Sequence, residues 1–251
     1  MKNLIHTGII AGLALGASTV SQAAVPTTSD TAPTVTILIS NDTASNVNMT
    51  VRVNEPKLTQ DRTLGQSFTL ASAGSFNAIS VQLKGGGAAT ITNNFSALTA
   101  GQGNLLLNVF DLSGGGKSLI ASPVVYDMAG LNLGSLNNHY LTFDLGETVT
   151  LSAGIEYGFE LGWDPTYLDE EDTIYRNLAL VRTVGGDVFS GGAQIGKGNY
   201  TSFPNVGLNS GPSVNDLDFY VHTVPEPSTY ALLAGSSPST GDDLLALPKG
   251  K

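Results

Sequence analysis

The sequence predicts an all-β protein, a single-domain antiparallel β-sandwich of jelly-roll-like type. About ten short runs of β-branched, aliphatic and aromatic residues follow one another, many with an apolar residue at every second position. Turn-forming Gly, Asn, Asp and Ser separate these runs, and no stretch shows helical periodicity. A barrel is the weaker alternative, and the lack of a fixed-period repeat disfavours a propeller or a solenoid. We assign this domain to residues 34–223.

The clearest predicted strands alternate strictly between apolar and polar positions. Residues 46–53 (NVNMTVRV) and 156–163 (EYGFELGW) have the pattern of half-buried strands. In the second run Trp163 falls in phase with Phe159, so we expect Trp163 to lie in the core. Residues 105–111 (LLLNVFD) are more uniformly apolar and are predicted to be buried on both faces.

The other runs are shorter or less regular. Residues 71–74 (ASAG) are predicted to be a hairpin-like connection between two strands, and residues 93–104 a surface loop. The remaining predicted strands are residues 34–40, 66–70, 76–83, 123–126, 140–145, 149–151, 177–184 and 217–224.

The composition excludes several classes of function. The chain has no cysteine, which rules out disulfides, a catalytic thiol and a cysteine-ligated metal. Its 21 acidic and 11 basic residues give a net charge of −10, and this negative charge disfavours nucleic-acid binding. Only 13% of the residues are charged while 30 are glycine, a profile typical of an extracellular β-protein.

The N-terminus has the layout of a secretory signal peptide, which we assign to residues 1–23. A basic residue precedes a short apolar run, residues 4–15, that is too short for a convincing membrane span. Ser21 and Ala23 occupy the −3 and −1 positions of a cleavage site after Ala23, and cleavage one residue later is the alternative. An uncleaved anchor is the other interpretation. Residues 24–33, rich in Pro, Thr and Ser, are predicted to be a linker.

The densest polar cluster directly follows Trp163. Five carboxylates fall within nine residues, and carboxylate oxygens are ligands that Ca²⁺ prefers. The spacing does not match an EF-hand loop, so a solvated acidic loop is the alternative. The predicted ligands of a structural calcium ion are Asp164, Asp169, Glu170, Glu171 and Asp172.

Two tyrosines near this cluster, Tyr167 and Tyr175, are candidates for carbohydrate binding. An aromatic ring offers a flat apolar face with a polar rim, which suits a pyranose. The alternation pattern assigns neither tyrosine to the core, whereas it assigns Trp163 there.

The sequence shows no catalytic constellation. His139 lies in a predicted turn and His222 on the last strand, facing away from Phe219, and neither has a metal-ligand partner at i+2 or i+4. No Gly-x-Ser-x-Gly elbow and no His-Glu-x-x-His motif is present. We therefore predict that the protein is not an enzyme. Carboxylates from any positions can meet in space, so a secreted glycan-active hydrolase is the alternative.

Near the C-terminus, Pro225, Glu226 and Pro227 lead into an apolar run, residues 228–235 (STYALLAG). This segment resembles the PEP-CTERM sorting signal of exported bacterial proteins, in which a Pro-Glu-Pro motif precedes a membrane helix and a basic cluster. The resemblance implies processing by an exosortase-type membrane protease and a Gram-negative cell that makes exopolysaccharide.

The match to the sorting signal stops after residue 235. Residues 236–243 (SSPSTGDD) cannot lie in hydrocarbon, because proline breaks a helix and each aspartate costs about 2.5–3.5 kcal/mol at the centre of a membrane helix. We therefore interpret residues 224–251 as a degenerate sorting segment without a stable membrane span, and we expect a released protein.

Residues 66–163 also resemble the β-sandwich ectodomains that PEP-CTERM proteins often carry. The likeness rests on QSFTLASAGSFNAISVQL, LLLNVFDLSGG and a Leu-x-Ala-Gly-x-x-Tyr turn at residues 151–157 (LSAGIEY). It implies a sandwich fold and says little about a ligand.

These observations predict an exported, non-catalytic β-sandwich protein of the cell surface or extracellular matrix that binds polysaccharide. The alternatives are the secreted hydrolase and a purely structural component of the matrix or surface layer.

Overall fold

The computed structural model describes residues 24–34, 37–42, 47–53, 63–85, 93–99, 101–164, 176–183, 189–196 and 216–223. Within these ranges the chain forms strands and turns but no helix, and all paired strands are antiparallel. The predicted all-β sandwich is confirmed. The strands in these ranges are β1 (Thr27–Ser29), β2 (Ile37–Asn41), β3 (Val47–Val53), β4 (Leu64–Thr69), β5 (Gly74–Gln82), β6 (Asn104–Asp111), β7 (Ser118–Leu119), β8 (Val124–Asp127), β9 (Tyr140–Leu151), β10 (Glu156–Trp163), β11 (Arg176–Arg182), β12 (Gln194–Ile195) and β13 (Phe219–Thr223).

Two sheets enclose the core. The five-stranded sheet has the order β1-β9-β5-β13-β2, and the six-stranded sheet has the order β12-β4-β10-β6-β7, with β8 also paired to β6. β11 and β3 form a two-stranded sheet. Rings from the two main sheets meet between them, because the ring of Phe219 lies 6.2 Å from that of Phe68 and 5.7 Å from that of Phe159.

The strands with the clearest sequence patterns are confirmed. β3 and β10 cover the two runs that alternate strictly, and β6 lies between β10 on one side and β7 and β8 on the other. Trp163 is 0% exposed and belongs to the core, as its phase in β10 predicts.

The predicted hairpin between β4 and β5 is wrong. β4 belongs to the six-stranded sheet and β5 to the five-stranded sheet, so residues 70–73 carry the chain across the sandwich. Leu70 is buried at this crossing, and its carbonyl accepts a hydrogen bond from the Gly154 N–H at 2.9 Å. Phe68 and Phe76, on either side of the crossing, are both buried, because the two strands contribute to the same core from opposite sheets.

The predicted surface loop at residues 93–104 is also wrong for its first part. Phe95 is buried, with its ring 5.2 Å from that of Trp163. The buried Asn93 side chain accepts a hydrogen bond from the Ala179 N–H at 2.7 Å. This turn therefore closes one end of the core.

Two boundaries differ from the sequence prediction. Residues 140–145 and 149–151 form one strand of 12 residues, β9, whose register with β5 shifts near Gly146, where φ is 70°. The stretch predicted to be a linker contains β1, which pairs with β9.

Candidate functional site

Most residues that the sequence assigns to a site lie outside the described ranges. Of the predicted calcium ligands only Asp164 is described; it follows β10, and its N–H donates to the Asn104 carbonyl at 2.9 Å. Among the described residues no three His, Cys, Asp or Glu side chains are placed to hold a metal ion together. The calcium site and the sugar platform stay predictions. The residues of the predicted calcium site, sugar platform and sorting motif that lie outside the described ranges are Asp169, Glu170, Glu171, Asp172, Tyr167, Tyr175, Pro225, Glu226 and Pro227.

An open surface cavity of about 300 Å³ lies at the turn between β6 and β7. We call it the turn cavity. Gly115 has a φ of 74°, a left-handed conformation that favours glycine, and a side chain added at Gly114 or Gly116 would meet no atom within 4 Å. The turn therefore leaves its backbone open beside the cavity. The cavity is lined by Asp111, Ser113, Gly114, Gly116, Lys117 and Ser118.

Asp111 is fixed in one orientation at the edge of the turn cavity. Its Oδ1 accepts hydrogen bonds from the Ser113 hydroxyl at 2.6 Å and from the Ser113 N–H at 2.8 Å. These two bonds hold the pKa of Asp111 below its ordinary value of 3.8, because they stabilise the ionised form. The bond from the hydroxyl has the larger effect. The site therefore presents a carboxylate at neutral pH.

Lys117 connects the cavity to a buried ion pair on the outer face of the six-stranded sheet. Its Nζ lies 2.8 Å from Glu160 Oε2, and the two side chains are 1% and 0% exposed. The Thr63 hydroxyl donates to Glu160 Oε1 at 2.5 Å, and Lys117 Nζ lies 5.3 Å from the centre of the Phe110 ring. Each charge is thus compensated, as burial requires.

Asn108 lies beside this ion pair, and its side-chain amide makes no hydrogen bond. It lies directly opposite Glu160 in the pairing of β6 with β10, and it is 1% exposed. Neither its Nδ2 nor its Oδ1 has a hydrogen-bond partner. A buried amide in this state costs free energy unless a water or another polar group meets it.

A second polar cluster lies on the outer face of the five-stranded sheet. The Ser80 hydroxyl lies 2.6 Å from His222 Nε2 and 2.6 Å from the Thr142 hydroxyl. Burial lowers the pKa of His222 below its ordinary value of 6.5. The Ser–His contact has the distance of a nucleophile–base pair, but Ser80 is 0% exposed, so its oxygen is shielded from a substrate.

Two tyrosines flank this cluster. Tyr140 and Tyr220 are buried and meet edge to face, with ring centres 5.4 Å apart. The Gln82 side chain donates to the Tyr140 hydroxyl at 3.0 Å. Burial raises the pKa of Tyr220 above its ordinary value of 10.0, so the hydroxyl stays protonated. These contacts join the neighbouring strands β5, β9 and β13 on the outer face of the sheet.

The sequence patterns did not reveal the ion pair or the turn cavity. Alternation places Glu160 on the face of β10 opposite Phe159, and the only local sign of its burial is that it stands between Gly158 and Gly162. Lys117 follows the SGGG turn, 43 residues before its partner, and no periodic pattern joins such distant positions.

Comparisons with known proteins identify no relative of this chain. It matches no family model, no curated protein and no solved structure. None of the described segments contains a helix that is long and apolar enough to cross a membrane.

Proposed function

We propose that the protein is an exported, non-catalytic component of the cell surface or extracellular matrix and that it binds a neutral polysaccharide in the turn cavity. The observation that carries this proposal is the cavity itself. Its volume of about 300 Å³ lies at the lower end of the range for small-ligand sites, which suits a single sugar unit of a longer chain.

The lining supports a hydroxyl-rich ligand. Asp111 supplies acceptor oxygens, Ser113 and Ser118 supply hydroxyl groups, and the glycine turn leaves open space beside its backbone. A sugar presents both donors and acceptors, so it matches this set better than an apolar molecule does.

The charge of the site favours a neutral sugar over an acidic one. Asp111 is ionised at neutral pH, and the positive charge of Lys117 is compensated by Glu160. The chain has a net charge of −10, which repels an anionic polysaccharide at low ionic strength. Export is supported by the predicted leader and by the resemblance of residues 225–227 to a sorting motif.

A glycan array with neutral and acidic polysaccharides tests this proposal. We expect binding to neutral glycans, and we expect Asp111→Ala to weaken it about tenfold, because the substitution removes the charged hydrogen-bond acceptor of the site. Asp144→Ala is the matched control, since Asp144 is also a carboxylate that accepts a local N–H, from Gly146 at 2.9 Å, but lies on β9 of the other sheet.

Three outcomes would contradict the proposal. The array could show no binding, the two variants could lose affinity equally, or the protein could degrade the glycans it binds. Turnover would favour a glycan-active hydrolase, and concentration-dependent self-assembly without glycan binding would favour a structural component of the matrix.

A further inference from the structure

The first described residues of the chain run along the edges of both main sheets. Ala24 forms a bridge with Tyr126 of β8, in which the Ala24 N–H donates to the Val125 carbonyl at 3.1 Å and the Ala24 carbonyl accepts from the Asp127 N–H at 2.9 Å. Three residues later β1 begins to pair with β9 of the other sheet. We call residues 24–29 the N-terminal clasp.

The clasp covers two strands that would otherwise end their sheets. In the six-stranded sheet β8 pairs with β6 on the side away from β10. In the five-stranded sheet only β1 lies beyond β9. Pro26, between the two contacts, is buried and has no N–H that needs a partner. The sheets are also joined beneath the clasp, where the Tyr126 hydroxyl donates to the Asp144 carbonyl. Covering edge strands in this way prevents them from pairing with another chain.

We propose that the leader is removed between Ala23 and Ala24 and that the new N-terminal residue, Ala24, closes the sandwich. The inference rests on the export in the proposed function. A signal peptidase would hydrolyse the Ala23–Ala24 peptide bond, with water supplying the hydroxyl of the Ala23 carboxyl group and a proton of the Ala24 amine. Ala24 is exposed, so the resulting ammonium group stays hydrated while it donates to the Val125 carbonyl.

The clasp distinguishes the two cleavage positions that the sequence allows. Cleavage after Ala24 would remove both hydrogen bonds to β8, whereas cleavage after Ala23 keeps them. Small residues at Ser21 and Ala23 favour the same bond.

Two measurements test the inference. The intact mass of the exported protein should correspond to a chain that begins at Ala24. Purified chains that begin at Ala24, Val25 or Asp30, each released from a fusion without extra residues, are then compared by thermal unfolding and by light scattering. In the Ala24 chain, Val25→Ser is the control, because the Val25 side chain is 60% exposed.

We expect the Val25 chain to melt about 2–4 °C below the Ala24 chain. The Val25→Ser control should melt at the same temperature as the Ala24 chain. The Asp30 chain should melt lower still and form dimers through the uncovered edge of β9. Equal melting temperatures for the Ala24 and Val25 chains, or another N-terminus on the exported protein, would overturn the inference. A retained leader would refute the export proposal as well as the cleavage, and the melting series would still decide whether the clasp stabilises the fold.

Discussion

Ser80, Thr142 and His222 form a hydrogen-bonded chain across three neighbouring strands, β5, β9 and β13. The exposed carboxylates on the same face, Asp42 and Asp144, would favour a protonated histidine. Burial is nevertheless the cause that prevails, since the pKa of His222 is lowered. The imidazole is therefore neutral in the folded protein at neutral pH.

His222 should make the fold sensitive to mild acid. Its folded pKa lies below the ordinary 6.5, so the unfolded chain takes up this proton first, and stability is lost as the pH falls from about 6.5 through the folded pKa. We expect the melting temperature of the protein to fall more between pH 7.5 and 5.5 than that of His222→Gln, which keeps a polar partner for Ser80.

The range from pH 7.5 to 5.5 suits this measurement. The pKa of Asp111 is lowered from its ordinary value of 3.8, so this carboxyl group titrates below the range. Identical pH profiles for the two proteins would contradict a lowered pKa of His222 in the folded state.

At the residue scale, sequence patterns predicted orientation but not partners. They predicted that His222 faces away from Phe219, and the structure places it on the outer face. They did not predict Ser80 as its partner, because the two residues are 142 positions apart and meet only when β13 lies beside β5.

Among the elements, β10 contributes both to the core and to the buried ion pair beside the turn cavity. It pairs with β4 and β6, and every residue after Glu156 is buried. One face carries Tyr157, Phe159, Leu161 and Trp163 into the core, and the other carries Glu160 to Lys117. Alternation predicted the first face correctly; it did not predict that the second face is covered.

The close approach of β4 to β10 depends on Gly65. A side chain carbon at Gly65 would lie 1.8 Å from the Phe159 carbonyl oxygen, which is backbone and cannot rotate away. We expect Gly65→Ala to reduce the free energy of unfolding by about 3 kcal/mol, the upper end for overpacking, measured by urea denaturation.

Gly114→Ala is the matched control for this variant. Its new methyl group would meet no atom within 4 Å, so we expect a change within about 0.5 kcal/mol. If Gly65→Ala unfolded at the same urea concentration as this control, the two strands would not be as tightly paired as described.

At the scale of the whole molecule, the fold class was readable from the sequence and the arrangement of strands was not. Turn residues and alternation indicated a sandwich, but they could not show that residues 70–73 change sheets or that Phe95 is buried. Both depend on contacts between distant segments. The buried ion pair beside the turn cavity depends on such contacts even more, since Lys117, Glu160 and Thr63 come from three separate parts of the chain.

The C-terminal sequence predicts how the whole protein partitions in the cell. Pro238, Asp242 and Asp243 separate the two short apolar runs behind the sorting motif, so we expect the protein in the soluble fraction after carbonate washing of membranes. Replacing residues 236–243 with leucine and alanine would leave about 20 residues suitable for a membrane span, and this control should stay in the pellet. Retention of the unaltered protein in the pellet would refute its release.

The burial of Trp163 has a practical consequence, because it is the only tryptophan in the chain. Its indole is shielded from water beside Phe95, so its fluorescence reports the opening of the core from one known position. The acidic cluster begins at the next residue, Asp164. The same emission can therefore follow a calcium titration of that segment, and the protein needs no added label for either measurement.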